Sequence, residues 1–283
     1  MKELITHTIL DSLKILPFLF VTFLLLELME HKFSKKSKEK IKKSGKLGPL
    51  LGGVLGAVPQ CGFSVVATNL YATRIITLGT LIAIYLSTSD EMLPILISKG
   101  ASLKVILQIL LIKVIVSIIY GFIIDFILRI KNKDRKEVKI KEFCHEHNCS
   151  CEKSIFKSAL KHTMAIFVFI LVINYTLNIL MDLFGNNLLE TILLKDSIFS
   201  PLIASLIGLI PNCGASVILT ELYLNNLITI SSLISGLLTG TGVGLLVLFK
   251  VNKNIKENFK ILFLLYLLGA FTGIILEALM LFI

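Results

Sequence analysis

Of the 283 residues, 55% are hydrophobic and 17% charged, with no Trp and a mean hydropathy of +0.85; a soluble globular domain runs at roughly 45–50% apolar and about 25% charged. This balance excludes a soluble domain of ordinary size and predicts an integral membrane protein of about six to ten apolar elements. The formal charge of +10 would suit nucleic acid, but Lys and Arg gather in a few loops beside apolar segments, which is how orientation in a bilayer is set, so nucleic acid is excluded as a partner.

The first element is an apolar run over 9–29, long enough to cross about 30 Å of hydrocarbon and without a signal-peptide cleavage site, so it reads as a retained span. Eight Lys and one Glu follow between Lys32 and Lys46, which marks a cytoplasmic loop and leaves the N-terminus outside. Two apolar stretches of about a dozen residues then flank Pro59-Gln60-Cys61-Gly62. A dozen helical residues reach only about 18 Å, so 49–73 is predicted to be a re-entrant hairpin whose tip stops near the midplane. Spans over 75–98 and 102–128 complete the first half, and the basic stretch from Arg129 to Lys141 returns the chain to the cytoplasm.

The second half repeats the first at a shift of 152 residues: from Pro49 to Leu96, 18 of 48 positions are identical without a gap. The core is PQCGFSVVATNLY (59–71) against PNCGASVILTELY (211–223), and further along Gly121 and Asp125 fall opposite Gly273 and Glu277. Chance likeness between apolar segments matches Leu with Ile; it does not match Pro, Cys, Gly, Ser, Thr and Tyr in order. A span over 155–180, a hairpin over 201–224, a span of about 23 residues and a last span over 261–283 follow. The predicted fold is an all-α inverted repeat, each half holding three spans, one of them broken, plus one re-entrant hairpin. Its parts are a first repeat over 1–130, a basic, Cys/His-rich linker over 131–153 and a second, inverted repeat over 154–283. Both termini lie outside, and 30–46, 129–154 and 250–260 lie in the cytoplasm, which puts every basic cluster on one side of the cell membrane.

Inverted repeats with broken helices are the architecture of secondary transporters, which bind substrate near the midplane. The span 75–98 is interrupted by Ser87-Thr88-Ser89-Asp90-Glu91 before Pro94. Pro94 has no N–H for the carbonyl of Asp90, so the helix should open there, setting carbonyl oxygen beside two carboxylates: a cation site in outline. The aligned segment Thr239-Gly240-Thr241-Gly242 contributes hydroxyls and opened backbone. At the hairpin tips, Gln60, Cys61 and Ser64 stand opposite Asn212, Cys213 and Ser216; thiolates there would select a soft or borderline metal, whereas buried Cys more often serves as a small hydrophobe. Asp125 and Glu277 are candidates for proton coupling, with pairing of Asp125 to Arg129 as the structural reading. Asn69 and Glu221, aligned at the feet of the hairpins, either line a vestibule or are solvated.

Five cysteines, an odd number, argue against a disulfide scaffold. Three of them fall in the linker sequence Cys144-His145-Glu146-His147-Asn148-Cys149-Ser150-Cys151, where Cys144, His145, His147, Cys149 and Cys151 form a ligand set for a zinc-type or soft metal, read as a sensor or delivery arm. An enzyme is not expected, because no His lies in the apolar elements around Cys61 or Cys213 to serve as a base. A metal-sensing receptor would not need duplicated hairpins.

Through VPQCGFSVVATNLYATRIITLGTLIAIYLSTSDEMLPIL (58–96) and its echo at 211–223, the chain resembles the ten-transmembrane heavy-metal or arsenic efflux proteins, also labelled manganese transporters, with weaker kinship to organoarsenical permeases. The resemblance implies export of a metal or metalloid across the cytoplasmic membrane. No permanently bound cofactor is expected, and no ATP-binding loop is present, so an ion gradient or a partner protein would drive export. Paired carboxylates beside opened backbone favour Mn²⁺ or another divalent cation; arsenite or another thiophilic species is the alternative. The bilayer and the metal are the expected partners, with a homodimer left open.

Overall fold

A computed structural model describes residues 47–58, 61–89, 92–130 and 199–281, with single helical positions between 16 and 24 and between 156 and 176. The described residues are helices and short connections, with no strand among them. In the first repeat they comprise α1 (Gly48–Gly56), α2 (Cys61–Ala72), α3 (Leu78–Ser87), α4 (Met92–Ser98) and α5 (Leu103–Ile130). In the second they are α6 (Ser200–Gly208), α7 (Cys213–Leu224), α8 (Ile230–Thr239), α9 (Gly244–Val251) and α10 (Ile255–Leu281). Four stretches, Leu78–Ser98, Leu103–Ile130, Ile230–Val251 and Ile255–Met280, are long and apolar enough to cross a membrane by length and composition.

The shift of 152 residues carries through to local structure. Pro49 and Pro201 stand in the first turns of α1 and α6, where a missing N–H costs nothing. Thr77 and Thr229 cap α3 and α8 by accepting from the amides of Thr80 and Ser232. Arg74 and Asn226, aligned in the repeat, both take left-handed backbone, at φ 60° and 58°. Each ends a hairpin arm in the same way: Ile75 N–H donates back to Leu70 and Leu227 N–H to Leu222, satisfying carbonyls that the helix end would leave open.

Lipid supplies no hydrophobic drive between helices, so close approach and polar contacts must hold them together. Gly48, Gly52 and Gly56 recur every fourth residue along α1 and face Thr80, Ile84 and Ser87 of α3. Ser200, Ala204 and Gly208 occupy the same places on α6, with Gly236 and Thr239 opposite. The outer faces carry the complementary signature. Leu103, Leu107, Leu111, Ile115 and Ile119 on α5 are exposed at a spacing of four, as are Phe259, Phe263, Leu267, Phe271, Ile275 and Leu279 on α10, while Ser64, Thr68, Ser87, Thr88, Ser89, Ser235 and Thr239 are buried. Apolar outside and polar inside is what a bilayer selects.

The repeats pack crosswise. Arm α2 of the first hairpin lies against α9 of the second repeat, and α7 lies against α4 of the first. Tyr120 and Thr272, which are equivalent positions in the sequence repeat, meet each other at 3.0 Å between hydroxyl oxygens.

One boundary differs from the sequence reading. The last helix begins at Ile255, where a cytoplasmic loop was expected through 260. Asn254 is the reason: its Oδ1 accepts from Glu257 N–H and its Nδ2 donates to the Glu257 carboxylate, a reciprocal cap that starts the helix early. The first span, the loops 30–46 and 181–198 and the linker 131–153 lie, wholly or in large part, outside the described residues.

Candidate functional site

Both expected breaks are present. In the first repeat α3 ends at Ser87 and α4 starts at Met92, with Pro94 in its first turn. In the second, α8 ends at Thr239 and α9 starts at Gly244, the connection turning through Gly242 at φ +54°, a conformation that favours glycine. The last carbonyls of a helix have no following amide to bond, and the helix dipole adds partial negative charge there. Two such ends meet inside this fold.

What they meet on is Lys113. It stands ten residues into α5, about 15 Å along the helix axis, and it is fully buried. Its Nζ donates to the Thr88 carbonyl, at the end of α3, and at 3.0 Å to the Leu237 carbonyl, in the last turn of α8. The Lys113 amino group thus occupies a cradle of carbonyl oxygens built from the breaks of both repeats. Sequence reasoning sought cation chemistry in acids and thiols and passed over this residue, although a lone Lys in Leu-Leu-Ile-Lys-Val-Ile-Val was signal enough.

The expected site hydroxyls surround the breaks and are buried. Ser87 Oγ and Thr88 Oγ1 donate to Ile84 carbonyl, and Ser89 Oγ donates to Ser87 carbonyl. Thr239 Oγ1 donates to Ser205 and Gly236 carbonyls, tying the break to the hairpin, and Thr241 is buried beside it. Each hydroxyl oxygen keeps lone pairs for a cation while its proton is engaged. At the first hairpin, Ser64 packs on Gly244, where an added Cβ would come within 2.7 Å of Ser64 Cβ. One turn on, Thr68, Tyr85 and the Gly244 carbonyl form a closed triangle of 2.5, 3.1 and 3.2 Å. At the second tip Asn212 caps α7 by accepting from Gly214 N–H, and the Ser216 carbonyl accepts from Thr220. Asp90, Glu91 and Gln60 lie outside the described residues, as do Cys144, His145, His147, Cys149, Cys151 and the side chains of Cys61 and Cys213. No group of three or more His, Cys, Asp or Glu that could hold a metal occurs among the described residues.

Asp125, near the end of α5, and Glu277, near the end of α10, reach the starts of α3 and α8 at equivalent places. Asp125 accepts from Thr77 Oγ1 at 2.7 Å and from Gly79 N–H at 3.0 Å; Glu277 accepts from Thr229 Oγ1 at 2.9 Å and from Ser231 Oγ. Each carboxylate thus completes the N-terminal cap of a half-helix whose other end reaches Lys113. Asn69 is buried, its Oδ1 without a partner among the described residues, whereas its counterpart Glu221 is exposed.

At the end of the bundle that holds Asp125, a cavity of about 780 Å³ opens between α2, α5 and α10, lined by Tyr71, Arg74, Arg129, Lys256 and Glu257 among others. Arg74 and Glu257 close one wall with a two-pronged ion pair of 2.7 and 2.8 Å, and Tyr71 donates to the same carboxylate. The hydrogen bonding of Arg74 to Glu257 holds its guanidinium above its already high ordinary range, so it is charged at every working pH. The pair spans 183 positions of sequence and joins the foot of the first hairpin to the last helix.

Lipid-facing apolar stripes around a polar interior, with two broken helices meeting inside it, define an all-α, multi-pass membrane protein. The chain belongs to the family described as "Putative, 10TM heavy-metal exporter", whose model matches residues 1–147 and 126–254. No curated protein and no solved structure matches it. Family membership places its general activity in heavy-metal efflux.

Proposed function

We propose that the protein is a secondary transporter exporting a divalent cation, Mn²⁺ foremost, from the cytoplasm across the cell membrane. The observation that carries this reading is the carbonyl cradle at Thr88 and Leu237, which holds the buried Lys113 amino group inside the bundle as it would a dehydrated cation. Carbonyl and hydroxyl oxygens with two carboxylates, Asp90 and Glu91, are hard-ligand chemistry suited to Mn²⁺. The two repeats, inverted in the membrane with loops 30–46, 129–154 and 250–260 in the cytoplasm, would rock about this point to expose it alternately. Asp125 and Glu277 anchor the half-helices during that motion. The cavity beside Arg74 and Glu257 is then the cytoplasmic entrance.

The thiols separate this reading from its rival. Cys61 and Cys213 open the two returning hairpin arms at equivalent places. If they ligate a soft species such as arsenite, replacing both by Ser should abolish resistance to it, since a hydroxyl is a far poorer ligand. With Mn²⁺ as substrate, the double variant should keep at least about half of its Mn²⁺ export, because oxygen ligands carry the site. Manganese content of a sensitive host expressing each form, set beside survival on arsenite, decides the matter. Unchanged manganese with improved arsenite survival would transfer the proposal to the metalloid.

The linker is assigned capture, not passage. Deleting 144–151 should raise the concentration of metal needed for half-maximal export several-fold and leave the maximal rate intact, because the loop ligands act before the membrane site. Complete loss of export would place the transport site in the loop.

A further inference from the structure

Resting on the cation-export reading above, we infer that the Lys113 ammonium is a tethered substitute for the transported cation, filling the carbonyl cradle while the carrier returns and leaving it when the metal enters. Three observations lead there. The ammonium is bound where the two half-helix ends converge, by the carbonyls of Thr88 and Leu237. These carbonyls come from different repeats, so the group sits at the joint about which the repeats must move. And Lys113 has no counterpart in the second repeat, where the aligned residue is Leu265, fully buried and apolar; the fold therefore tolerates a hydrocarbon at this place in the helix.

A carrier must return across the membrane with its metal site free of metal before it can export the next ion. Bare carbonyl dipoles facing one another inside the bilayer make that step costly, because water cannot follow them to relieve the repulsion. An ammonium on a four-carbon stem relieves it without dissociating. When the metal arrives, the two cations compete for the same oxygens and the flexible stem withdraws. What the cycle moves at this residue is a charge. The same competition sets affinity, since a site that held the metal with no competitor would release it slowly.

The test separates return from loaded crossing. Purified protein is reconstituted in vesicles, and two tracer fluxes are measured: exchange of external ⁵⁴Mn²⁺ against internal Mn²⁺, and net efflux into Mn²⁺-free medium. Exchange needs only the loaded carrier; net efflux needs the return step. In Lys113→Gln the ratio of net efflux to exchange should fall at least about tenfold relative to wild type, since only the return step depends on the internal cation. In Lys113→Ala, millimolar methylammonium in the external medium should restore net efflux and enter the vesicles as Mn²⁺ leaves. A purely structural Lys would lower both fluxes together, and an unchanged ratio in Lys113→Gln overturns the inference, as does failure of methylammonium to restore efflux in Lys113→Ala. Wild-type vesicles that exchange no Mn²⁺ would instead overturn the manganese reading, and this inference with it. Size-exclusion profiles check folding of both variants; should the smaller Ala not fold, the Gln ratio decides alone.

Discussion

The Asp90→Asn protein should insert and fold like the wild type and yet export Mn²⁺ at least about a hundredfold more slowly, a loss of about 2.7 kcal/mol in transition-state terms. Asn has the shape of Asp and retains one carbonyl oxygen, so ligand count is nearly preserved; what disappears is a formal charge. Oxygen dipoles alone offset the dehydration of a divalent ion poorly in a medium that cannot reorganise, and each carboxylate contributes much of the compensation. The three residues before Asp90, Ser87 to Ser89, are buried, and Lys113 reaches the carbonyl two positions upstream. Glu91 alone would then face an incoming double charge with Lys113 still to be displaced. Tracer efflux from vesicles, with a matched size-exclusion profile, is the measurement. Flux within twofold of wild type would remove Asp90 from the site.

Gly79→Val should strongly destabilise the fold. A Cβ at position 79 would come within 2.6 Å of the Asp125 carboxyl carbon and would also strike the Gly121 carbonyl, and neither neighbour can retreat, because one is backbone and the other is held by Thr77 and the Gly79 amide. Overpacking of this kind costs about 1–3 kcal/mol, and forcing Asp125 away leaves a buried carboxylate short of two hydrogen bonds, adding about as much again. Set against a typical stability of about 5–15 kcal/mol, the sum should cut the yield of monodisperse protein by more than about fivefold. Gly100→Ala is the control: nothing lies within 4 Å of its Cβ, and only its φ of +71° opposes the change, for about 1 kcal/mol. Equal yields from the two variants would show that α3 and α5 do not depend on this close approach.

Much of this architecture was legible because it repeats. Proline, glycine and hydroxyl residues recurring after 152 positions placed both breaks, and the five helices of each repeat begin in the same register. What sequence could not show were partners. Thr77 and Asp125 lie 48 positions apart, Arg74 and Glu257 lie 183 apart, and Lys113 finds carbonyls 25 and 124 positions away. Those carbonyls belong to Thr and Leu, whose side chains give no hint of what their backbone will bind. Asp125 and Glu277 stand out in sequence because a carboxylate in an apolar run is costly; the hydroxyls and amide that hydrogen-bond to them become visible only when α3 packs on α5 and α8 on α10. The early start at Ile255 is a different case, since Asn254 with Glu257 three residues on is a capping pattern readable from the sequence.

The crosswise packing of the hairpin arms bears on how the chain comes apart. If each repeat closed on itself, heat or denaturant could melt one and leave the other, and two transitions would follow. Here α2 leans on the second repeat and α7 on the first, so removing either half strips the other of a wall. The repeats are units of descent but not of stability. Unfolding of the helical core should accordingly follow a single cooperative transition, and a half chain expressed alone should be degraded, while two halves made together as separate polypeptides can complete one another.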